Sequence, residues 1–205
     1  TIQAGRFNTD RSAANPDMDK TTADYYAVQF DYAQDKWTGQ AGYYLFKDYF
    51  KEKTINLGDK TLSSADFDTD ELSLWNVGLG YKFDDNFKIA GNYAENTKGE
   101  GYNTTGDFTV QGDESKAYSV ELTYKGYDTK DPGSWDAFVA YRYLGAMVAI
   151  GPVYKGAWTD QKGIEFGVEF VPAENVLATL KYFDGKDIST DQDASKFFGQ
   201  LELQF

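Results

Sequence analysis

Cysteine and histidine are both absent from the 205 residues, and arginine occurs only as Arg6, Arg11 and Arg142. Without them there are no disulfides, no thiol nucleophiles, no histidine acid–base chemistry and none of the usual zinc sites. The lack of cysteine is compatible with an oxidising compartment. No run of 18 apolar residues occurs, so no helix of the chain is fit to cross a bilayer. Positive charge is also short: 20 basic against 33 acidic residues leave a formal net charge of −13, which argues against a nucleic-acid partner. There is no initiator methionine and no basic start followed by an apolar stretch, so a processed product or a fragment is expected.

What the chain has in quantity is aromatics and glycine: 16 Tyr, 15 Phe, 4 Trp and 20 Gly. Such a composition argues against disorder. Apolar residues recur at period two, which predicts strands over Thr1 to Phe7, Asp24 to Asp35, Trp37 to Phe50, Leu72 to Phe83, Asn86 to Asn96, Lys116 to Lys125, Ser134 to Gly145, Gln161 to Val171, Asn175 to Phe183 and Lys196 to Phe205. In the eighth of these, Ile164, Phe166, Val168 and Phe170 alternate with Glu165, Gly167 and Glu169. Each strand therefore has one dry and one wet face.

Connection lengths alternate as well. Short turns fall at Asp35, Asp84, Gly133 and Pro172, and the long stretches between the other strand pairs are polar and acidic. All long loops at one end and all short turns at the other is what an up-and-down transmembrane β-barrel requires. Aromatics fit the same scheme. Tyr32, Trp37, Phe83, Phe87, Tyr124, Trp135, Phe170 and Phe205 sit near the short turns, and Tyr26, Tyr49, Trp75, Tyr93, Tyr118, Tyr143, Tyr182 and Phe197 near the long loops, as two interfacial girdles would. A soluble β-sandwich or lipocalin-like barrel would use the same aromatics as core, but strands of ten or more residues exceed the usual soluble length.

The chain closes on KFFGQLELQF, with Phe197, Leu201, Leu203 and Phe205 on one parity. A terminal Phe on an alternating strand resembles the assembly signal of bacterial outer-membrane barrels, so Phe205 is expected to engage the barrel assembly machinery. Further back, WDAFVAYRYLG, AIGPVYKGAW and KGIEFGVEFVPAENVLATLKYFDGKDISTDQDASKFFGQLELQF resemble the C-terminal barrel of the OmpM-type S-layer-homology porins of diderm Firmicutes, over residues 134 to 205, with the earlier strands similar in style only. The resemblance implies a homotrimeric outer-membrane barrel. It also implies peptidoglycan binding through an N-terminal domain and stalk that are not in this sequence. Residues 1–205 are then one barrel domain, expected to be the C-terminal part of a barrel of about sixteen strands; a complete ten-strand barrel, narrow and filled by side chains, is the alternative.

With the polar parity turned inward, the pore-lining candidates are Asp31, Lys88, Glu121, Lys125, Arg142, Glu165, Glu169, Lys181 and Glu202, together with polar neighbours such as Gln40 and Asn92. Opposed charges on a pore wall orient polar solutes without holding them tightly; individually, most such residues are simply hydrated. Arg142 is expected on the wall within reach of inward carboxylates, where its removal shifts selectivity toward cations and leaves folding nearly intact. The loop GAMVAIGPVYKGAW is unusually apolar, and Val148, Ile150, Pro152 and Tyr154 are expected to fold over the barrel mouth as a constriction rather than face water.

Signals for catalysis are poor, since the expected nucleophile–base pair has no histidine, and Glu165 and Glu169 read as solvated lumen. Asp66, Asp68 and Asp70 start like a calcium loop, but Glu71 and Val77 stand where Gly and a bidentate Glu belong. The acidic loops are left with loose divalent-cation binding at most, and no cofactor or metal is called for. The expected function is that of a general diffusion porin for small hydrophilic solutes, with a structural or adhesin outer-membrane barrel as the alternative.

Overall fold

In a computed structural model, residues 1–8, 22–48, 55–57, 60–62, 71–98, 104–105, 108–109, 113–148 and 156–204 are described. They form fourteen strands: β1 (Ile2–Asn8), β2 (Thr22–Gln34), β3 (Trp37–Lys47), β4 (Ile55–Leu57), β5 (Lys60–Leu62), β6 (Leu72–Lys82), β7 (Phe87–Asn96), β8 (Thr104–Thr105), β9 (Phe108–Thr109), β10 (Lys116–Gly126), β11 (Trp135–Leu144), β12 (Gln161–Ala173), β13 (Val176–Asp187) and β14 (Asp193–Leu203). Ten of them build one antiparallel sheet in the order β1-β2-β3-β6-β7-β10-β11-β12-β13-β14. Each strand lies beside the ones before and after it in this up-and-down meander. Among the described residues β1 and β14 each pair with a single neighbour, so the sheet is open.

All ten predicted strands are present, with two differences. The small hairpins β4–β5 and β8–β9 lie inside long connections; their strands of two or three residues are too short to show a period. The last long connection shrinks to residues 188–192, because β13 runs on to Asp187 and β14 starts at Asp193. There the ladder continues through Gly185↔Ala194 and Lys186↔Asp193, past the point where hydrophobic alternation fades.

The short turns have local causes. Asp35 and Asn175 adopt φ of 53° and 61°, a left-handed conformation that Asp and Asn tolerate better than most side chains. The Asp84 carboxylate accepts the amide hydrogens of Asn86 (2.7 Å) and Phe87 (2.8 Å), which holds its pKa below the ordinary value. Pro172 sits where the β12–β13 register shifts between Phe170 and Ala173, an irregularity that tolerates a residue without an N–H.

Side chains separate by parity in every strand of the sheet, and the register carries the separation from strand to strand. One row runs Val120↔Tyr141↔Ile164, the next Ser119↔Arg142↔Gly163↔Gly185. The apolar face is the exposed one: Val28, Phe30, Val77, Leu79, Val120, Val139, Phe166, Val168, Leu180 and Leu201 all stand open. The polar face is sheltered on β10 to β13, with Ser119, Thr123, Asp136, Arg142, Glu165 and Thr179 buried. This inverts the arrangement of a water-soluble sheet, in which the apolar face seeks the core.

Candidate functional site

The apolar face is bordered by two rows of aromatic rings. At the short-turn end Trp37 meets Tyr81 (4.5 Å between centroids), Tyr81 meets Phe83 (5.1 Å), Phe87 meets Tyr124 (4.9 Å) and Tyr124 meets Trp135 (5.9 Å). At the long-loop end Trp75 lies against Tyr93 (5.2 Å) and Tyr118 against Tyr143 (4.8 Å). Tyr49 and Phe205 fall outside the described residues. Charged residues that the register places on this face, namely Arg6, Asp24, Lys47, Glu95, Lys116, Lys162, Asp184, Lys186 and Asp193, all lie in the half of their strand away from the short turns at Asp35, Asp84, Gly133 and Pro172. Eleven residues at ~3.3 Å each give a strand of roughly 36 Å, which at a tilt near 45° spans about the 25 Å height of an outer-membrane apolar band.

All nine predicted pore-lining residues share the opposite, polar face by register. They do not share one environment. On β2, β3, β6 and β7 the face is nearly neutral. Tyr44 donates to Gln29 (3.1 Å), Gln29 to Asp31 (2.8 Å) and Gln40 to Asn92 (3.1 Å). Asp31, Thr38, Gln40, Gly78, Gly80 and Asn92 border a hollow of about 270 Å³ there. Asp31 and Lys88 are open to solvent, as expected of a hydrated wall.

On β10 to β14 the same face is densely charged, and its centre is dry. Arg142 is 2% exposed and Glu165 is 0%. The guanidinium donates from Nε (2.9 Å) and Nη2 (2.8 Å) to Glu165 Oε1 and from Nη2 to Glu121 Oε2 (2.9 Å). The other Glu165 oxygen accepts the amide of Ala157 at 3.0 Å. This corrects the reading of Glu165 as solvated lumen: the loop before β12 covers it. Glu121 keeps partial contact with water. Phe138 lies under two cations, Lys181 Nζ at 5.1 Å from its centroid and Arg142 Cζ at 5.9 Å. Glu169 accepts Thr179 Oγ1 at 3.5 Å, and Glu202 accepts Gln200 Nε2 at 3.4 Å. Lys125 departs from the expected placement. Its left-handed backbone (φ 66°) turns it at the short-turn end, and its ammonium lies 4.5 Å from the ring centroid of Trp135, an apolar-face residue.

Parity already marks Asp136, absent from the expected set, because it shares a face with Arg142; it is buried beside Glu169 in register. Glu114 and Asp160 carried no such signal, since both precede their strands.

Of the predicted constriction loop, Val148 is described and buried, while Ile150, Pro152 and Tyr154 lie outside the described residues. The described ends of the loop fold onto the polar face. Ala157 packs in a cluster with Leu144 and Phe183, flanked by Ala117 and Ala194, all polar-face positions by register. Trp158 stays exposed under Lys196 Nζ, 4.6 Å from its ring. A Cβ on Gly156 would collide with Glu165 Oε2, and its φ is not in the left-handed range, so the demand for glycine is steric. Gly156→Val is expected to lift this end of the loop at a cost of about 1–3 kcal/mol. Hydrogen exchange at the Ala157 amide should accelerate; unchanged protection would show that the loop is held elsewhere.

No protein-family model and no curated protein matches the chain.

Proposed function

We propose that these ten strands are part of the wall of an outer-membrane porin of the OmpM type, through which small hydrophilic solutes diffuse. The observation that carries this reading is the inverted sheet: its exposed face is aliphatic, flanked by two aromatic rows and, by register, without charged positions over the half nearest the short turns, while its polar face is buried at the centre of β10 to β13. Water makes an exposed apolar face of this extent costly. Lipid removes that cost and demands instead that strand edges be paired. The open edges of β1 and β14 then call for closure, by further strands of a barrel of about sixteen or by each other, and Phe205 serves as the assembly signal. A homotrimer is the assembly proposed.

On this reading the neutral wall of β2 to β7 and the charged wall of β10 to β14 face water from two sides of one lumen, and the loop before β12 narrows it. Planar-bilayer recording of the whole protein tests the proposal. Stepwise, ohmic openings are expected; an inserted but silent barrel would favour a structural or adhesin role. Protease added to intact cells is expected to cut within the long loops and to spare the turns at Asp35, Asp84, Gly133 and Pro172.

A further inference from the structure

The polar face of β2, β3, β6 and β7 is hollow where side chains are missing. Two neighbouring rows cross these four strands, Asp31↔Gln40↔Gly78↔Asn92 and Ala33↔Thr38↔Gly80↔Ala90. Gly78 and Gly80, both buried, form the floor. Neither has a left-handed backbone, so what they supply is room: a Cβ on Gly78 would collide with Asn92 Oδ1 and Gln40 Cγ, and one on Gly80 with Thr38 Oγ1. In that room Gln40 lies over Gly78 and donates from Nε2 to Asn92 Oδ1, two strands away, at 3.1 Å. The space left over is about 270 Å³, below the range of about 300–1,000 Å³ that holds drug-sized ligands. It suits a solute the size of a single sugar ring.

The rim offers what hydroxyl groups bind. A hydroxyl both donates and accepts, so it is held best where donors and acceptors stand side by side. Gln40 spends an amide hydrogen on Asn92 and keeps its carbonyl, while Asn92 spends its carbonyl and keeps its amide group. Thr38 adds a hydroxyl, and Asp31 a carboxylate of which Oδ1 already accepts from Gln29 Nε2 at 2.8 Å. Among the described residues bordering the hollow, Asp31 alone is charged. Lys82 and Lys88 stand one row further toward the short turns, and Lys82 is paired with Asp85 at 3.1 Å.

We propose that this hollow is a subsite for a neutral, hydroxyl-rich solute: a pyranose ring lies over Gly78 and Gly80, and its hydroxyls bond to Gln40, Asn92, Thr38 and Asp31. The Gln40–Asn92 bond fixes both carboxamides before the solute arrives, which lowers the ordering cost of binding. A ring without hydroxyls leaves the same polar groups unpaired and is rejected. The subsite deepens the porin reading, on which it faces the lumen, by naming the solutes that dwell there. Binding itself does not depend on conduction.

Saturation-transfer NMR tests it on the whole protein, folded in micelles of a detergent without a sugar headgroup, with D-glucose and with tetrahydropyran, the same ring lacking hydroxyls. Saturable transfer from glucose is expected with a dissociation constant of about 1–10 mM, the order for a ligand of about twelve non-hydrogen atoms, and tetrahydropyran should bind at least about tenfold more weakly. Gln40→Ala should weaken glucose binding about tenfold, by removing one carboxamide and releasing the other. Gly80→Val fills the floor and should abolish saturable transfer; if that variant fails to fold, Gln40→Ala, at a half-buried side chain, decides the matter. Equal transfer from the two rings, or unchanged glucose binding in Gln40→Ala, overturns the subsite. Glucose binding by a protein that is silent in planar bilayers overturns the porin reading and leaves the subsite standing; ohmic openings without saturable glucose binding do the reverse.

Discussion

Replacing Arg142 by alanine is expected to remove about 3–5 kcal/mol of folding stability, the usual cost of leaving a buried charge without its partner. Glu165 has no exposure and would retain only the Ala157 amide. Glu121, by contrast, has a side chain 30% exposed and can turn to water. The damage therefore concentrates on Glu165 and on the loop resting upon it. This reverses the expectation drawn from the sequence, in which Arg142 shapes selectivity and folding is indifferent to it: an arginine that is 2% exposed meets few solutes. Lysine should rescue poorly, because one ammonium cannot reproduce the Nε and Nη2 contacts made in a single plane. The double replacement Arg142→Met with Glu165→Leu should recover most of the loss by removing both charges together. Denaturant unfolding in phospholipid vesicles measures all three; an unchanged midpoint for Arg142→Ala would mean that water reaches Glu165.

A charge placed in the middle of the apolar face is expected to be nearly as damaging. Leu122 is exposed and lies opposite Ile89 and Val139 in register, between the two aromatic rows. In lipid, Leu122→Arg should cost about 2–4 kcal/mol near the midplane. In a water-soluble protein the same replacement at an exposed site would stay within about 0.5 kcal/mol. Lys162→Arg is the matched control: it occupies the same face at the long-loop end, already charged and paired to Asp191 at 3.4 Å, and should be neutral. If Leu122→Arg is also neutral in vesicles, the apolar face is not against lipid and the barrel reading fails, whatever conductance is recorded.

The ten strands, their antiparallel meander and the sorting of Asp31, Lys88, Glu121, Arg142, Glu165, Glu169, Lys181 and Glu202 onto one face were all determined by the sequence by itself. The reason is local: successive side chains of a strand point to opposite sides, so a period of two fixes parity residue by residue, and short turns between strands leave few registers to choose from. Parity says nothing about depth. Glu165 and Glu169 are equivalent in the sequence, yet one is sealed under Gly156 and Ala157 and the other borders Thr179. Lys125 keeps its parity but loses its place, because a left-handed backbone turns it toward Trp135. The anchoring of Ala146 and Met147 on Glu114 and of Ser189 on Asp160, and the packing of Ala157 onto the polar face, were decided only by the tertiary structure. Those contacts join segments with no common period, brought together by the alignment of strand ends, which no single strand can specify.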